Sequence, residues 1–424
     1  MFFNFYKLLY KNLNYIFLII LSIIIFYMYL FNYELEYSNY YNLLFLFIIL
    51  FLSILFFSIN NNFNINKIVL LIFIILGSII IILSNNLIYI YISLELQTFS
   101  IFILLSSNNE SMKSSESGLK YFILGSISSG FFLLSLMLIY LFNGNFIINN
   151  LTLNINYFDD LWKSLIILSI LFKLSLFPFH FWIPDIFEGS NKFLIFFIGS
   201  FPKISILLFL IKLKLSLIIL LLSSICSIII GTFGALNQSK IKRLIAYSGV
   251  SHMGLCILTL TMINKTGIEI SINYFIFYLI GFTSIIMIMI NLSNKENIFI
   301  YELSNLSINN MIIALSWGLI FLSLGGLPPF SGFLAKWWTI IFIIKYKFII
   351  ISLIIILFSS ISMFYYLNIL KISYLQKLSS FKIWENILIY NEKNWLLNFF
   401  LGLNLYIILF IIINPYFFIN LFIL

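Results

Sequence analysis

"IVLLIFIILGSIIIIL", residues 68–83, carries no charge and no alternation of polar with apolar positions. A barrel strand would need a segment of about ten residues that alternates. A spanning helix needs about 20 predominantly apolar residues. Runs of this kind recur along the whole chain. In hydrocarbon, each backbone N–H and C=O has to be paired within its own segment, so runs like this one fold as helices.

The composition agrees. Of 424 residues, 62% are hydrophobic and 9% charged, and 50 are Phe. A soluble domain carries about 25% charged residues, so a soluble enzyme or binding module is excluded. Apolar spans fall near 13–31, 42–58, 68–84, 87–105, 119–142, 161–180, 193–211, 215–235, 244–263, 270–292, 311–345, 348–370 and 396–420. The reading is an all-α polytopic membrane protein with about 13 transmembrane helices, or 14 if 311–345 is two. The first span is too long for a signal peptide, and no small-residue cleavage site follows it. Residues 1–424 read as one membrane domain, with N-terminal helices in 1–60, a core over 68–370, and a loop with a last helix in 371–424. Cys226 and Cys256 both lie inside spans, which predicts inert buried thiols.

The net charge of +9 reads as lysines gathered on the loops of one membrane face, not as a nucleic-acid surface. Lys7 and Lys11, Lys113, the Lys240/Lys242/Arg243 loop and the 371–395 loop with Lys371, Lys377, Lys382 and Lys393 would share the inner face. The acidic loops, with Glu34 and Glu36 and with Asp159 and Asp160, would lie outside. The N-terminus is then inside and Leu424 outside. Lys212/Lys214 and Lys345/Lys347 go against this pattern.

Four ionisable residues sit within the apolar spans: Glu95 in "YISLELQTF", Lys173 in "LFKLSLF", Lys203 in "FPKISIL" and Lys336 in "FLAKWWTI". A charge at the bilayer centre costs roughly 2.5–3.5 kcal/mol on insertion scales. A lone lysine near a helix end can snorkel to the headgroups. As a set, one acid and three lysines indicate a hydrated or paired interior path for ions or protons. Two Pro/Gly clusters stand beside two of these lysines. Pro178 and Pro184 follow Lys173, and Gly325, Gly326, Pro328 and Pro329 precede Lys336. They predict non-helical breaks near 178–184 and 325–332. Such breaks persist at membrane depth where they line a cavity or are buried in protein. His180 and His252 are candidate proton relays, although a histidine that only ties two helices together explains each equally well.

"SLELQTFSIFIL" (93–104), "ESGLKYFILGSISSGFFL" (116–133), "FKLSLFPFHFWIPDIFEGS" (172–190), "LNQSKIKRLIAYSGVSHMG" (236–254) and "LSLGGLPPFSGFLAKWW" (322–338) together resemble subunit 2 of respiratory complex I, the proton-pumping NADH:ubiquinone oxidoreductase. The resemblance covers roughly 68–370. The absence of a histidine between Lys192 and Lys203 separates the chain from the antiporter-like subunits 4 and 5 and from Na⁺/H⁺ antiporter homologues. The resemblance implies an antiporter-like fold with an inverted repeat and two discontinuous helices. It implies that Glu95 pairs with Lys173, that Lys203 is the central lysine and that Lys336 stands at the second broken helix. Together they would form a polar axis for one proton path. Lys120, within the second motif, is a further candidate relay. Members of that family usually have fourteen helices, so the count of 13 leaves the N-terminus one helix short.

No G-x-G-x-x-G beside a strand and no cysteine cluster occurs. FMN, iron–sulfur clusters and ubiquinone are therefore expected in partner subunits, with other membrane subunits and lipids as neighbours and no nucleic acid. Codon-biased richness in Phe, Ile, Asn, Lys and Tyr suggests an AT-rich organellar genome and the mitochondrial inner membrane, with an AT-rich bacterium as the alternative. A stand-alone cation/proton antiporter of the same fold is the competing function. A structural subunit with relic charges is a third.

Overall fold

The computed structural model describes residues 41–42, 44–49, 51–53, 65–107, 111–148, 159–213, 218–262, 264–292, 297–306, 310–375 and 395–411. The expected span near 13–31, both termini and Lys377, Lys382 and Lys393 lie outside the described residues. The α-helices are α1 Leu44–Ser53, α2 Ile65–Leu83, α3 Leu87–Ser106, α4 Met112–Asn143, α5 Asp159–Lys173, α6 Trp182–Gly189, α7 Lys192–Leu213, α8 Ile218–Leu236, α9 Ile241–Leu260, α10 Lys265–Leu292, α11 Met311–Gly325, α12 Ser331–Lys345, α13 Ile349–Leu375 and α14 Trp395–Phe410. Among the described residues there is no strand, only two isolated bridges. Eight helices are long and apolar enough to cross a membrane: α2, α3, α4, α7, α8, α9, α10 and α13.

The loops sort into two ends. Leu87 N–H donates to Phe146 O, and Asn264 Nδ2 donates to Tyr346 Oη, at one end. At the other, Ile300 N–H donates to Ser239 O, and Lys113 and Lys240 share Glu188. Lys113 and the 236–243 loop thus lie at the same end, as their charges predict. Helix α4 begins seven residues before the expected span. Its 32 residues reach about 48 Å, so its polar first turns extend past a hydrocarbon core of about 30 Å and meet α6.

Helix α7 lies at the centre, and its whole apolar window is buried by protein. Small residues let α8 and α9 approach closely. A Cβ on Gly254 would come within 2.2 Å of Ser227 Oγ on α8.

Two stretches interrupt the expected spans by the same device. Helix α5 stops at Lys173, where Ser175 takes φ +58°, its N–H donates to Phe172 O and Leu176 N–H reaches back to Leu171 O. Helix α11 stops at Gly325, where Gly326 takes φ +86°, its N–H donates to Ser323 O and Leu327 N–H reaches back to Leu322 O. Each is a Schellman ending with an apolar residue just beyond the left-handed one. Prolines Pro178, Pro328 and Pro329 then follow, and none of them can continue the helix. The non-helical stretches are 174–181 and 326–330. Pro184 is not in the first break. It is the third residue of α6, where its missing N–H costs nothing because first-turn donors have no helical partner.

Candidate functional site

Five helices bring titratable groups toward the middle of the bundle. Glu95 projects from α3 and Lys173 from the last turn of α5. Lys203 comes from α7, His252 from α9 and Lys336 from α12. Lys203, His252 and Lys336 are buried, whereas Glu95 and Lys173 are partly buried. Glu95 acts electrostatically on Lys173 and on Tyr121, yet Glu95 and Lys173 form no ion pair within 4 Å. One Glu95 oxygen, Oε2, accepts from Thr98 Oγ1 at 3.3 Å, and Oε1 is buried without a hydrogen bond. Further along, His252 lies in the electrostatic reach of both Lys203 and Lys336. Its Nδ1 is hydrogen-bonded to the Tyr274 hydroxyl at 2.7 Å and its Nε2 to the Tyr366 hydroxyl at 3.2 Å. A cavity of about 10 Å³ lies between His252 and Lys336, lined also by Tyr274, Tyr278, Ser323 and Ser331. That is room for about one water molecule.

The other buried lysines explain what is distinct about Lys203. The last carbonyls of a helix lack intrahelical partners and carry the negative end of its dipole. Lys336 Nζ donates to Gly325 O at 2.6 Å, at the end of α11. Lys192 Nζ donates to Met289 O at 2.8 Å, at the end of α10. Lys242 Nζ donates to Ser190 O at 2.6 Å, just past α6. Lys212 Nζ donates to Ile82 O at 2.5 Å and Ser84 O at 3.0 Å, at the end of α2. Its place against the loop-charge pattern is thus a helix cap. Lys203 makes no hydrogen bond. Its ammonium stands 5.5 Å from the centroid of the Tyr278 ring, within the range of a cation–π contact. Pro202 precedes it inside α7 and removes one backbone donor from the same turn.

A second cluster closes one membrane end. Asp185 and Glu188, three residues apart on α6, share a helical face. Glu188 pairs with Lys113 at 2.8 Å, Lys240 at 2.5 Å and Arg243. Asp185 pairs with Lys120 at 2.6 Å and Arg243 at 3.0 Å. Burial alone would raise the Glu188 carboxyl's pKa, but Lys113, Lys240 and Arg243 outweigh it and hold the pKa at about 2.

Electrostatic contact thus joins Glu95 to Lys173, and separately joins His252 to Lys203 and Lys336. His180 does not join them. It is buried between the rings of Phe177 and Phe181 with Nδ1 unpaired. Lys120 sits in the ion-pair cluster, bonded to Glu116 and Asp185. Tyr274, Tyr278, Tyr366, Asp185 and Glu188 were not singled out by the sequence, and Arg243 only as a loop charge. Tyrosine is common throughout the chain, and the two acids stand in a stretch whose prolines dominate its reading. Of the two cysteines, Cys256 is buried and its thiol donates to Ser271 O, while Cys226 is only half-buried. Among the described residues, no group of three or more His, Cys, Asp or Glu side chains could hold a metal.

Residues 84–362 match the family model described as "NADH:quinone oxidoreductase/Mrp antiporter, TM". NADH-ubiquinone oxidoreductase chain 2 of Metridium senile is 33% identical over 82% of this chain and 93% of that protein. NADH-quinone oxidoreductase subunit N of Pelagibacter ubique is 37% identical over 72% of this chain and 67% of its own. A chain from respiratory complex I of Thermus thermophilus superposes with a TM-score of 0.80 at 21% identity, covering 96% of this chain and 92% of that one. A chain of the Mrp complex from Dietzia superposes with a TM-score of 0.79 at 15% identity, covering 90% of this chain and 82% of that one. At these identities the two superpositions establish the shared fold.

Proposed function

We propose, for a chain that belongs to the NADH:quinone oxidoreductase/Mrp antiporter family and within it groups with chain 2 and subunit N, the role of a proton-translocating membrane subunit of NADH:quinone oxidoreductase. The observation that carries it is the set of partly buried Glu95 and Lys173 and buried Lys203, His252 and Lys336 within a largely apolar bundle. Protons would pass between Lys173 and Lys336 by way of Lys203, which has no hydrogen bond to break when its proton leaves. The two His252–tyrosine bonds and the small cavity would carry the step toward Lys336.

The finer architecture follows the same reading. The paired helices α5/α6 and α11/α12 would each be one discontinuous spanning helix. They run in opposite directions between the two ends, as an inverted repeat requires. With the N-terminal span the total would be 13, the N-terminus would face the matrix of a mitochondrion, and the C-terminus the intermembrane space. The subunit would hold no redox centre of its own, leaving FMN, iron–sulfur clusters and ubiquinone to its partners.

The test is Lys203→Met and Lys203→Arg in the assembled complex, reconstituted in vesicles. Both are expected to cut NADH-driven proton uptake while the complex still assembles, because arginine stays protonated. Unimpaired uptake with Lys203→Arg would refute the relay role. Isolation of a small assembly without flavin or iron–sulfur clusters would favour the stand-alone antiporter.

A further inference from the structure

Both ring nitrogens of His252, on α9, meet a tyrosine hydroxyl. Nδ1 stands 2.7 Å from Tyr274 Oη of α10, and Nε2 stands 3.2 Å from Tyr366 Oη of α13. All three residues are buried. A neutral imidazole has one N–H donor and one acceptor nitrogen, and a tyrosine hydroxyl has a single proton to donate. Which nitrogen carries the proton is therefore set by what else each hydroxyl can bond.

The two hydroxyls differ in this respect. Among the described residues, Tyr274 Oη has one hydrogen-bond partner, His252 Nδ1. Tyr366 Oη has the hydroxyls of Ser248 and Tyr365 beside it. Ser248 Oγ donates its own proton to Ile245 O at 3.0 Å, which leaves its oxygen able to accept. A proton on Nδ1 would make Tyr274 an acceptor and leave its buried O–H without a protein acceptor, which is costly. With the proton on Nε2, each donor finds a partner: Tyr274 donates to Nδ1, Nε2–H donates to Tyr366, and Tyr366 donates to Ser248. The distances agree, because 2.7 Å suits an O–H donor and 3.2 Å lies within the N–H···O range.

We infer that Tyr274 is a positioning residue that fixes His252 as the Nε2–H tautomer. It closes Nδ1 with its own hydroxyl proton, and the ring N–H then points at Tyr366 on α13. A proton can reach Nδ1 only as the Tyr274 hydroxyl proton moves, so loading of the ring is tied to one hydroxyl. Tyr274 also lines the small cavity beside Lys336. The inference rests on reading His252 as the step toward Lys336.

Solid-state NMR of the assembled complex with isotope-labelled histidine reads the ring directly, as a difference between the unaltered complex and Tyr274→Phe. Phenylalanine keeps the ring and its packing and removes only the hydroxyl. In the unaltered complex, the unprotonated nitrogen should be the one bonded to Cγ, which is Nδ1. Its resonance should move in Tyr274→Phe, whereas Tyr366→Phe should leave Nδ1 unprotonated, because Tyr274 still donates to it. Proton uptake per NADH oxidised should fall on the order of tenfold in Tyr274→Phe, the scale of one buried hydrogen bond left unmade. A proton on Nδ1 in the unaltered complex would show that Tyr274 donates into the cavity instead, and would overturn the assignment. A histidine spectrum unchanged by Tyr274→Phe, a tautomer that switches only in Tyr366→Phe, or unaltered uptake in Tyr274→Phe each overturns the positioning role. Unimpaired uptake in His252→Gln overturns the relay reading beneath it and leaves the tautomer measurement untouched.

Discussion

Replacing Glu188 with glutamine keeps the shape of the side chain and removes the charge that three cations face. Glu188 is 7% exposed, and its carboxyl is held at about 2 against an ordinary 4.5. That gap corresponds to about 3 kcal/mol of preference for the ionised form in the fold. Lys113 and Arg243 reach solvent, where screening trims their share, so about 2 kcal/mol is expected. The consequence is local: α6 loses its tie to the start of α4 and to the turn before α9. Amide hydrogen exchange on a peptide covering residues 182–192 of the assembled complex should read this directly. An opening made easier by about 2 kcal/mol speeds exchange about 30-fold at pH 7. Because the folded value lies below the unfolded one, this stabilisation is fully present above about pH 4.5. It fades as pH falls toward about 2, where the native carboxyl takes up its proton. The gap between the two proteins should narrow in that window. Equal exchange in both at pH 7 would show that the cluster does not hold α6 in place.

Two other substitutions address the axis itself. Glu95→Gln should leave thermal stability within about 1 kcal/mol, because no direct ion pair to Lys173 is broken, while vesicle proton uptake falls. Uptake equal to the unaltered complex would remove Glu95 from the path. Gly326→Ala should cost about 1–2 kcal/mol for a side chain at φ +86°. The added Cβ would also meet Lys336 Cδ at 2.7 Å, so both the melting temperature and proton uptake should fall. A variant that melts and pumps normally would mean that the geometry of the second break is not needed.

The sequence by itself determined the class of the fold. Hydrocarbon forbids unpaired backbone, so long apolar runs have one structural outcome, and residues 68–83 form the expected helix. It also singled out Glu95, Lys173, Lys203 and Lys336, because a charge within such a run is costly. The breaks were legible through Pro178, Pro328 and Pro329, although the endings belong to Ser175 and Gly326. A left-handed serine leaves no composition signal, and Pro184 belongs to the start of a helix instead.

Only the tertiary structure decided which partner each buried charge finds. Lys192, Lys212, Lys242 and Lys336 stand in different local sequences, Lys242 among the charges of a loop and Lys336 within an apolar run. Each ends at the carbonyl end of a helix that is remote in sequence or lies across a break. Lys203 has no such end within reach and faces Tyr278 and Gly249 instead. Glu188 gathers cations from 75 residues before it and 52 residues after it. Periodicity and local composition report what a segment buries, whereas the pairing of a buried charge depends on which helix ends the packing brings to it.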